Sequence, residues 1–513
     1  MATGYLSAHP PERPMSTLRI HSPANGELVG EVEIDTPDSI RAIVQKARDA
    51  QVEWGLRPVA ARAEILLKVR KTILAQTDAI VENAARENGK PRHEGLLHEV
   101  LTQLELLTYF GNEAERILAP QSIPMRLLKH RASYVHYRPR GVCAIIAPWN
   151  FPNHLGFGGA AMALVAGNAV VLKPSEFTPL SAQLLRRCYI DGGVPEGCLQ
   201  LVNGFGDVGA ALIGAGVDFV EFTGSVATGR KVAAMCGERL IPCVLELGGK
   251  APALVMEDAD TTRTLEAVLW GGYANAGQVC ASIERLVVHE KVHDAFVGKL
   301  VTRVKALRVG DASGAADIDV GPLVNQRQLE IVERLVADAV AKGATVACGG
   351  KRVEGAGFFY EPTVLTGVTI DMDIVNQETF GPVVPVLKVG SEAEAILEAN
   401  RSHLGLLAYV FTKNGGRGRR MAEQIRAGTV MVNDVLATAA APETPWAGLK
   451  SSGIGVAHSD DGLRGMCEAR HVNYDALPWL QRELWWFPYD KNSLPLLRRM
   501  LKLLYDSPLG RLL

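Results

Sequence analysis

From Gly141 onward the chain repeats one unit: a continuous apolar run, a turn, then a helical segment. The runs fall at 142–147, 169–172, 199–202, 219–222 and 244–247, and helices are predicted over 158–166 and 179–189. Strands this short and this predominantly apolar belong to a parallel sheet covered on both faces, because a strand open to water on one side would alternate. The rhythm starts afresh after Gly248. Strands are predicted at 253–256, 286–289 and 383–389, and helices at 261–274, 292–307, 326–342 and 392–400. These make a second α/β unit over 249–445. A chain of 513 residues exceeds what one core organises, so two or three domains are expected.

Ahead of Gly141 the pattern is helical over 59–118, with Leu66, Val69 and Ile73 at i, i+3 and i+7, broken by Gly89-Lys90-Pro91. Residues 133–138 alternate weakly before Pro139 and read as an isolated strand or hairpin arm. Residues 1–15 are Pro-rich and polar, and are expected to be loose; they lack the apolar core of a signal peptide. A net charge of -2 gives no field that would draw nucleic acid, and no window offers 18 uninterrupted apolar residues for a membrane span. The eight cysteines (143, 188, 198, 236, 243, 280, 348 and 467) form no C-x-x-C and no cluster with zinc spacing. No metal site and no disulfide framework are expected, and a reducing, cytoplasmic setting is inferred.

Cys280 lies in Gly277-Gln278-Val279-Cys280, just after a predicted helix. A nucleophilic thiol needs an exposed, polarised turn, but most cysteines in such a chain are small buried hydrophobes. Partners raise its interest. Pro148-Trp149-Asn150-Phe151-Pro152 ends the first apolar run, where an open parallel sheet faces its ligand crevice. Asn150 offers an amide donor there, suited to an oxyanion, although it could equally satisfy its own turn. Glu246 closes the run 244–247 before Gly248-Gly249; desolvation would raise its pKa towards that of a general base, and a capping or ion-paired role fits as well. Lys173-Pro174-Ser175-Glu176 sits at another strand end and suits ribose hydroxyls. Phe222-Thr223-Gly224-Ser225 opens a helix near Val226, presenting N–H groups to a pyrophosphate. The segment 204–209 matches G-x-G-x-x-G through Gly204 and Gly209, a pattern that is often only a tight strand-to-helix turn.

Taken together, these segments resemble the aldehyde dehydrogenase superfamily over residues 18–472. The matching motifs are P-W-N-F-P at 148–152, K-P-S-E at 173–176, F-T-G-S at 222–225, E-L-G-G-K at 246–250, G-Q-V-C at 277–280, E-T-F-G-P at 378–382 and P-W-A-G-L-K-S-S-G-I-G at 445–455. The resemblance implies an aldehyde dehydrogenase-like α/β fold: two Rossmann-like parallel-sheet domains plus a small β oligomerisation element. The NAD-binding domain would take 18–122 and 140–248, the catalytic domain 249–445, and the oligomerisation element 123–139 and 466–488. It further implies Cys280 as nucleophile, Glu246 as the base that activates water, and Asn150 with the Cys280 N–H as oxyanion hole. Pro148, Trp149, Lys173, Ser175, Glu176, Gly204, Gly209, Phe222, Gly224, Ser225, Leu247, Gly248, Glu378 and Phe380 would line the cofactor. Glu176 would accept ribose hydroxyls and repel a 2′-phosphate, favouring NAD over NADP. The activity implied is oxidation of an aldehyde to a carboxylic acid through a thioester. The alternatives are a CoA-acylating relative, against which Glu246 argues, and a retired scaffold, against which the intact residue set argues. A homodimer or homotetramer is implied.

The sequence departs from the family at Pro445-Trp446-Ala447-Gly448, where a glycine pair is usual, and at Asp460, which replaces a glutamate proposed as an auxiliary base. The tail over 489–513 is amphipathic. Leu496, Leu497, Met500, Leu501, Leu503 and Leu504 oppose Arg498, Arg499 and Lys502, and Trp479, Trp485, Trp486 and Phe487 crowd the approach to it. Docking on a neighbouring subunit or its own domain, a cap over the substrate entrance, and peripheral membrane contact all fit this pattern. The apolar tail favours a medium- or long-chain aliphatic or an aromatic aldehyde.

Overall fold

A computed structural model describes residues 16–314, 317–477, 479, 481–483, 485–489, 491–506 and 508. The expected loose segment 1–15 lies outside them. The first apolar series folds as predicted into a parallel sheet. Its strand order is Gly453–Ile454, Cys243–Glu246, Phe219–Thr223, Val142–Ile146, Ala169–Lys173 and Leu199–Leu201, and only Gly453–Ile454 runs antiparallel. The chain leaves Val142–Ile146 towards one edge and returns to its other side as Phe219–Thr223. The carboxyl ends of these two neighbours therefore flank a topological switch point, where open α/β sheets bind ligands. One side of the sheet carries the helix Pro152–Ala166, buried along almost its whole length and rich in Gly and Ala, which let it pack close. It begins six residues before the predicted 158, because Pro152 occupies the first helical turn, where its fixed φ and missing N–H cost nothing.

The second sheet has seven strands, in the order Thr345–Cys348, Thr363–Thr366, Val383–Val389, Ile283–His289, Ala251–Val255, Leu407–Phe411 and Thr429–Val432. All are parallel except Thr345–Cys348. The segment between Leu449–Lys450 and Gly453–Ile454 returns to the first sheet and ties the two together. Ser452 accepts the Leu247 N–H at 2.8 Å through its carbonyl, donates its hydroxyl to the Gly248 carbonyl at 2.7 Å and accepts the Gly405 N–H at 2.9 Å.

Ahead of these sheets, the predicted 59–118 run becomes Val59–Ala75, Thr77–Asn88 and Thr102–Ile117, with Leu66, Val69 and Ile73 fully buried. Gly89 ends the second helix at φ 73, a left-handed cap that favours glycine. The structure adds an earlier helix, Pro37–Leu56, capped by Thr36, whose hydroxyl accepts the Ser39 N–H. The hairpin arm at 133–138 is the middle strand Arg131–Pro139 of a small antiparallel sheet, between Gln121–Ser122 and Cys467–Asp475. The tail forms a helix, Ser493–Tyr505. Glu483 pairs with His130 at 2.8 Å, and the Arg126 guanidinium lies 5.6 Å from the Tyr505 ring centroid. Among the described residues, no helix is long and apolar enough to cross a membrane.

Candidate active site

Cys280 is presented by an unusual turn. Three successive residues, Asn275, Ala276 and Gly277, have φ of 51°, 55° and 71°. Two of them carry side chains that disfavour this region, so the surroundings must hold the turn in place. Glu94 accepts the Asn275 N–H at 2.8 Å, and the Gln278 amide donates to the Asn275 carbonyl at 3.0 Å and accepts the Val324 N–H at 2.9 Å. Cys280 is half-buried, not the exposed thiol anticipated. Burial, then Glu378 and Glu246, push its pKa up to about 12, against the N–H groups of Cys280 and Ala281, which favour the thiolate.

Asn150 is 3% exposed and lies between the strand Val142–Ile146 and the helix Pro152–Ala166. Its amide donates one hydrogen to the Gln278 carbonyl at 3.0 Å, tying it to the cysteine turn and leaving a second donor. Its own carbonyl accepts from Lys90 Nζ at 2.8 Å and Asn275 Nδ2 at 3.1 Å. Glu246 ends the strand Cys243–Glu246, is 4% exposed, and has no protein hydrogen-bond partner of ordinary geometry on either oxygen. Burial and the neighbouring Glu221 raise its pKa well above the usual carboxylate range, opposed by the Trp446 side chain.

Cys280 and Glu246 both line two cavities. One, of about 180 Å³, is walled largely by apolar groups, among them Leu97, Leu101, Phe151, Trp270, Leu436 and Trp446. His98, His154 and His458 also face it, each with an unpartnered Nδ1. Desolvation lowers their pKa values to about 3, 3 and 4, so all three are neutral in ordinary buffers. Glu221, on Phe219–Thr223, completes this wall. The other cavity, of about 280 Å³, brings together Pro148, Trp149, Asn150, Gly224, Ser225, Leu247, Gly248, Glu378 and Phe380 from the predicted set. Its shape depends on missing side chains: a Cβ on Gly248 would lie 2.6 Å from a Glu378 oxygen. Ser225 caps the helix Val226–Arg239 by accepting the Thr228 N–H at 3.3 Å, so this helix N-terminus opens into the cleft. Glu378 accepts the Gly249 N–H at 3.0 Å, and Phe380 meets Trp149 edge-on at 5.5 Å. Such a cleft, with oriented N–H groups at one end and aromatic walls at the other, fits a dinucleotide.

Lys173, Ser175, Glu176, Gly204 and Gly209 do not line this cavity; they group at the next strand ends. Lys173 donates to the Pro174 carbonyl at 2.9 Å, Ser175 donates to Glu176 at 3.2 Å, and a Cβ on Gly209 would touch the Lys173 stem at 3.6 Å. Phe222 is buried beneath Gly224, where a Cβ would meet its ring at 2.6 Å. Asp460 is engaged elsewhere: Tyr109 donates to it at 2.7 Å and Arg116 at 3.0 Å, and it lines neither cavity. None of the described residues after His458 lines the cavity that holds the histidines.

Several contributors escape a reading by motif. Lys90, in the segment read only as a helix break, is a buried cation paired with Glu99, and Glu99 accepts the Asn153 N–H at 2.9 Å. Lys250 pairs with Glu284 at 2.6 Å, and Glu284 accepts the N–H groups of Thr379 and Phe380, each at 2.8 Å. Glu221 leaves one signal in the sequence, an acid inside an otherwise apolar run. The three histidines leave none.

The sequence profile described as the aldehyde dehydrogenase family matches residues 11–472. A 4,4'-diapolycopene aldehyde oxidase of Methylomonas sp is 37% identical over 97% of this chain and 93% of its own length. A protein named putative succinate-semialdehyde dehydrogenase [NADP(+)], from Mycolicibacterium smegmatis, is 37% identical over 93% of each chain. The solved NAD+ complex of an aldehyde dehydrogenase from Bacillus cereus superposes with a TM-score of 0.86 at 34% identity, covering 90% of this chain and 93% of that one.

Proposed function

The chain belongs to the aldehyde dehydrogenase family, and on that premise we propose that it oxidises an aldehyde to a carboxylic acid with NAD, through a thioester on Cys280 that water activated by Glu246 releases. The observation that carries this reading is the meeting of two cavities at Cys280 and Glu246, one apolar and one shaped for a dinucleotide. Burial keeps the thiol protonated at rest, and the N–H groups of Cys280 and Ala281 favour the sulfur once its proton leaves. The thiol gives up its proton to solvent, and the Cys280 thiolate then bonds to the aldehyde carbon. The second hydrogen of the Asn150 amide and the Cys280 N–H hold the oxygen that becomes negative. When bound, NAD supplies the hydride acceptor that takes the carbon to the thioester level. Gly224, Ser225 and the first turn of Val226–Arg239 would hold its diphosphate, Glu378 and Phe380 its nicotinamide end, and Lys173 with Glu176 its adenosine ribose. Glu246 takes a proton from water as the new C–O bond forms and the C–S bond breaks.

Among the described residues, no lysine or arginine lines the apolar cavity, so a substrate carboxylate would find no cationic partner among them there. An aromatic or a medium- to long-chain aliphatic aldehyde fits it better. The outer edge of the strand Cys467–Asp475, which pairs with no other strand among the described residues, supports assembly into a homodimer or homotetramer through the small sheet.

The test is turnover with a panel of aldehydes, following NADH and the intact mass of the protein. Cys280→Ser abolishes NADH formation. Glu246→Gln yields at most one equivalent and retains an acyl group on Cys280; sustained turnover by that variant would refute the assignment. The same assay with NADP gives a much lower kcat/KM, and equal values would remove Glu176 from cofactor choice.

A further inference from the structure

We infer that Glu221 is a positioning residue for the base, a second carboxylate that relays the proton Glu246 strips from water. This rests on the reading of Glu246 given above. Strand pairing sets Thr223 opposite Glu246 and Glu221 opposite Val244. Side chains alternate along a strand, so Glu221 shares a face with Thr223, one step back from Glu246. Both carboxylates line the cavity that reaches Cys280. Glu221 is 5% exposed, and its Oε2 has no protein partner. A lone buried acid is costly, so its presence in an apolar run calls for a use. The helix packed across it makes room by omission: a Cβ on Gly159 would sit 2.2 Å from that same oxygen.

The charges around Glu221 leave it free to act with Glu246. On the neighbouring strand Val142–Ile146 the titratable group is Cys143, whose thiol is held neutral by burial. His154, from Pro152–Ala166, His98, from the segment beside Thr102–Ile117, and His458, from the loop beyond Trp446, face the cavity and are neutral. Lys90 is committed to Glu99 and the Asn150 carbonyl. Asp460, at the position of the family's proposed auxiliary base, is held by Tyr109 and Arg116 and does not line the cavity. Two adjacent buried carboxylates do not both ionise readily, and burial already takes Glu221 to about 7.

The step balances without redox change. Water loses a proton to Glu246, its oxygen bonds the thioester carbon, and the C–S electron pair stays on Cys280. The proton passes from Glu246 to Glu221 and from there to solvent, and Glu246 is ionised for the next turnover.

The test is the pH profile of kcat for the wild type, Glu221→Gln, Glu221→Asp and Glu246→Gln, with the Cys280 acyl adduct followed by intact mass. Removing the Glu221 charge lowers the pKa of Glu246, so the acid limb in Glu221→Gln moves down by about one pH unit. Loss of the relay lowers the plateau on the order of tenfold and the acyl adduct accumulates. Glu221→Asp restores the limb towards its wild-type position. A Glu221→Gln profile superimposed on the wild type overturns the proposal, provided Glu246→Gln stops at the acyl adduct; sustained turnover in Glu246→Gln overturns the base assignment instead. Should Glu221→Gln not fold, the wild-type limb decides: coupled acids spread it over two ionisations, and a limb fitted by one ionisation counts against the relay.

Discussion

Asn150 shows how little freedom a single residue here retains. Lys90 and Asn275 fix its main-chain carbonyl, Gln278 takes one side-chain amide hydrogen, and only the other is left for a substrate oxygen. Asn150→Ala removes that donor while leaving the diphosphate end of the cleft intact. Its kcat is expected to fall by roughly 10²–10³, with NAD affinity by fluorescence titration close to wild type; near-normal turnover would remove Asn150 from the oxyanion hole. Cys280, Glu246 and Asn150 stand where a strand ends or a turn begins, but that placement alone left a structural role as good a reading for each, and it was the family motifs around them that singled them out. Lys90 and Glu99 were not legible, because what makes them important is burial against segments distant in the chain, and Glu221 showed only as an acid inside an apolar run. An isolated lysine in Gly-Lys-Pro looks like solvated punctuation until the structure closes Glu99 over it.

The element that most directly sets the chemistry is the left-handed turn 275–277. A Cβ on Gly277 would lie 2.1 Å from the Gly381 carbonyl oxygen, at a φ that side chains resist. Gly277→Ala is therefore expected to destabilise by roughly 2–4 kcal/mol, read as a lower denaturant midpoint, and to displace Cys280 enough to cut activity; an unchanged midpoint would show that the loop 378–382 yields. The parallel strands were legible because burial on both faces leaves a continuous apolar run. The helix Pro37–Leu56 was not, since only Ile40, Val44, Ala47 and Trp54 of its twenty residues are buried. The strands Leu407–Phe411 and Thr429–Val432 are defined by the partners they pair with more than by any turn signal that brackets them.

At the scale of the whole molecule, the tail helix meets the connection that leads into the small sheet. The helix Ser493–Tyr505 rests on residue 126 through Tyr505, while Leu494, Leu496 and Leu501 stay exposed on the single chain. Deleting the residues after Tyr489 is expected to reduce the mass measured by light scattering at equal concentration, while the acylation burst with short aldehydes persists. An unchanged mass would detach the tail from assembly. The fold class was legible from strand rhythm alone, but the joining of distant segments was not: no local pattern says that Gly453–Ile454 should pair with Cys243–Glu246, or Cys467–Asp475 with Arg131–Pro139. Those two pairings constrain biosynthesis. The edge of the first sheet beside Glu246 is supplied by residues more than two hundred positions later, so a ribosome must translate nearly the entire message before that carboxylate gains its last neighbour. The amino-terminal half cannot mature as an independent early folder, and a nascent chain stalled before residue 454 would expose a bare strand edge to whatever chaperone attends it.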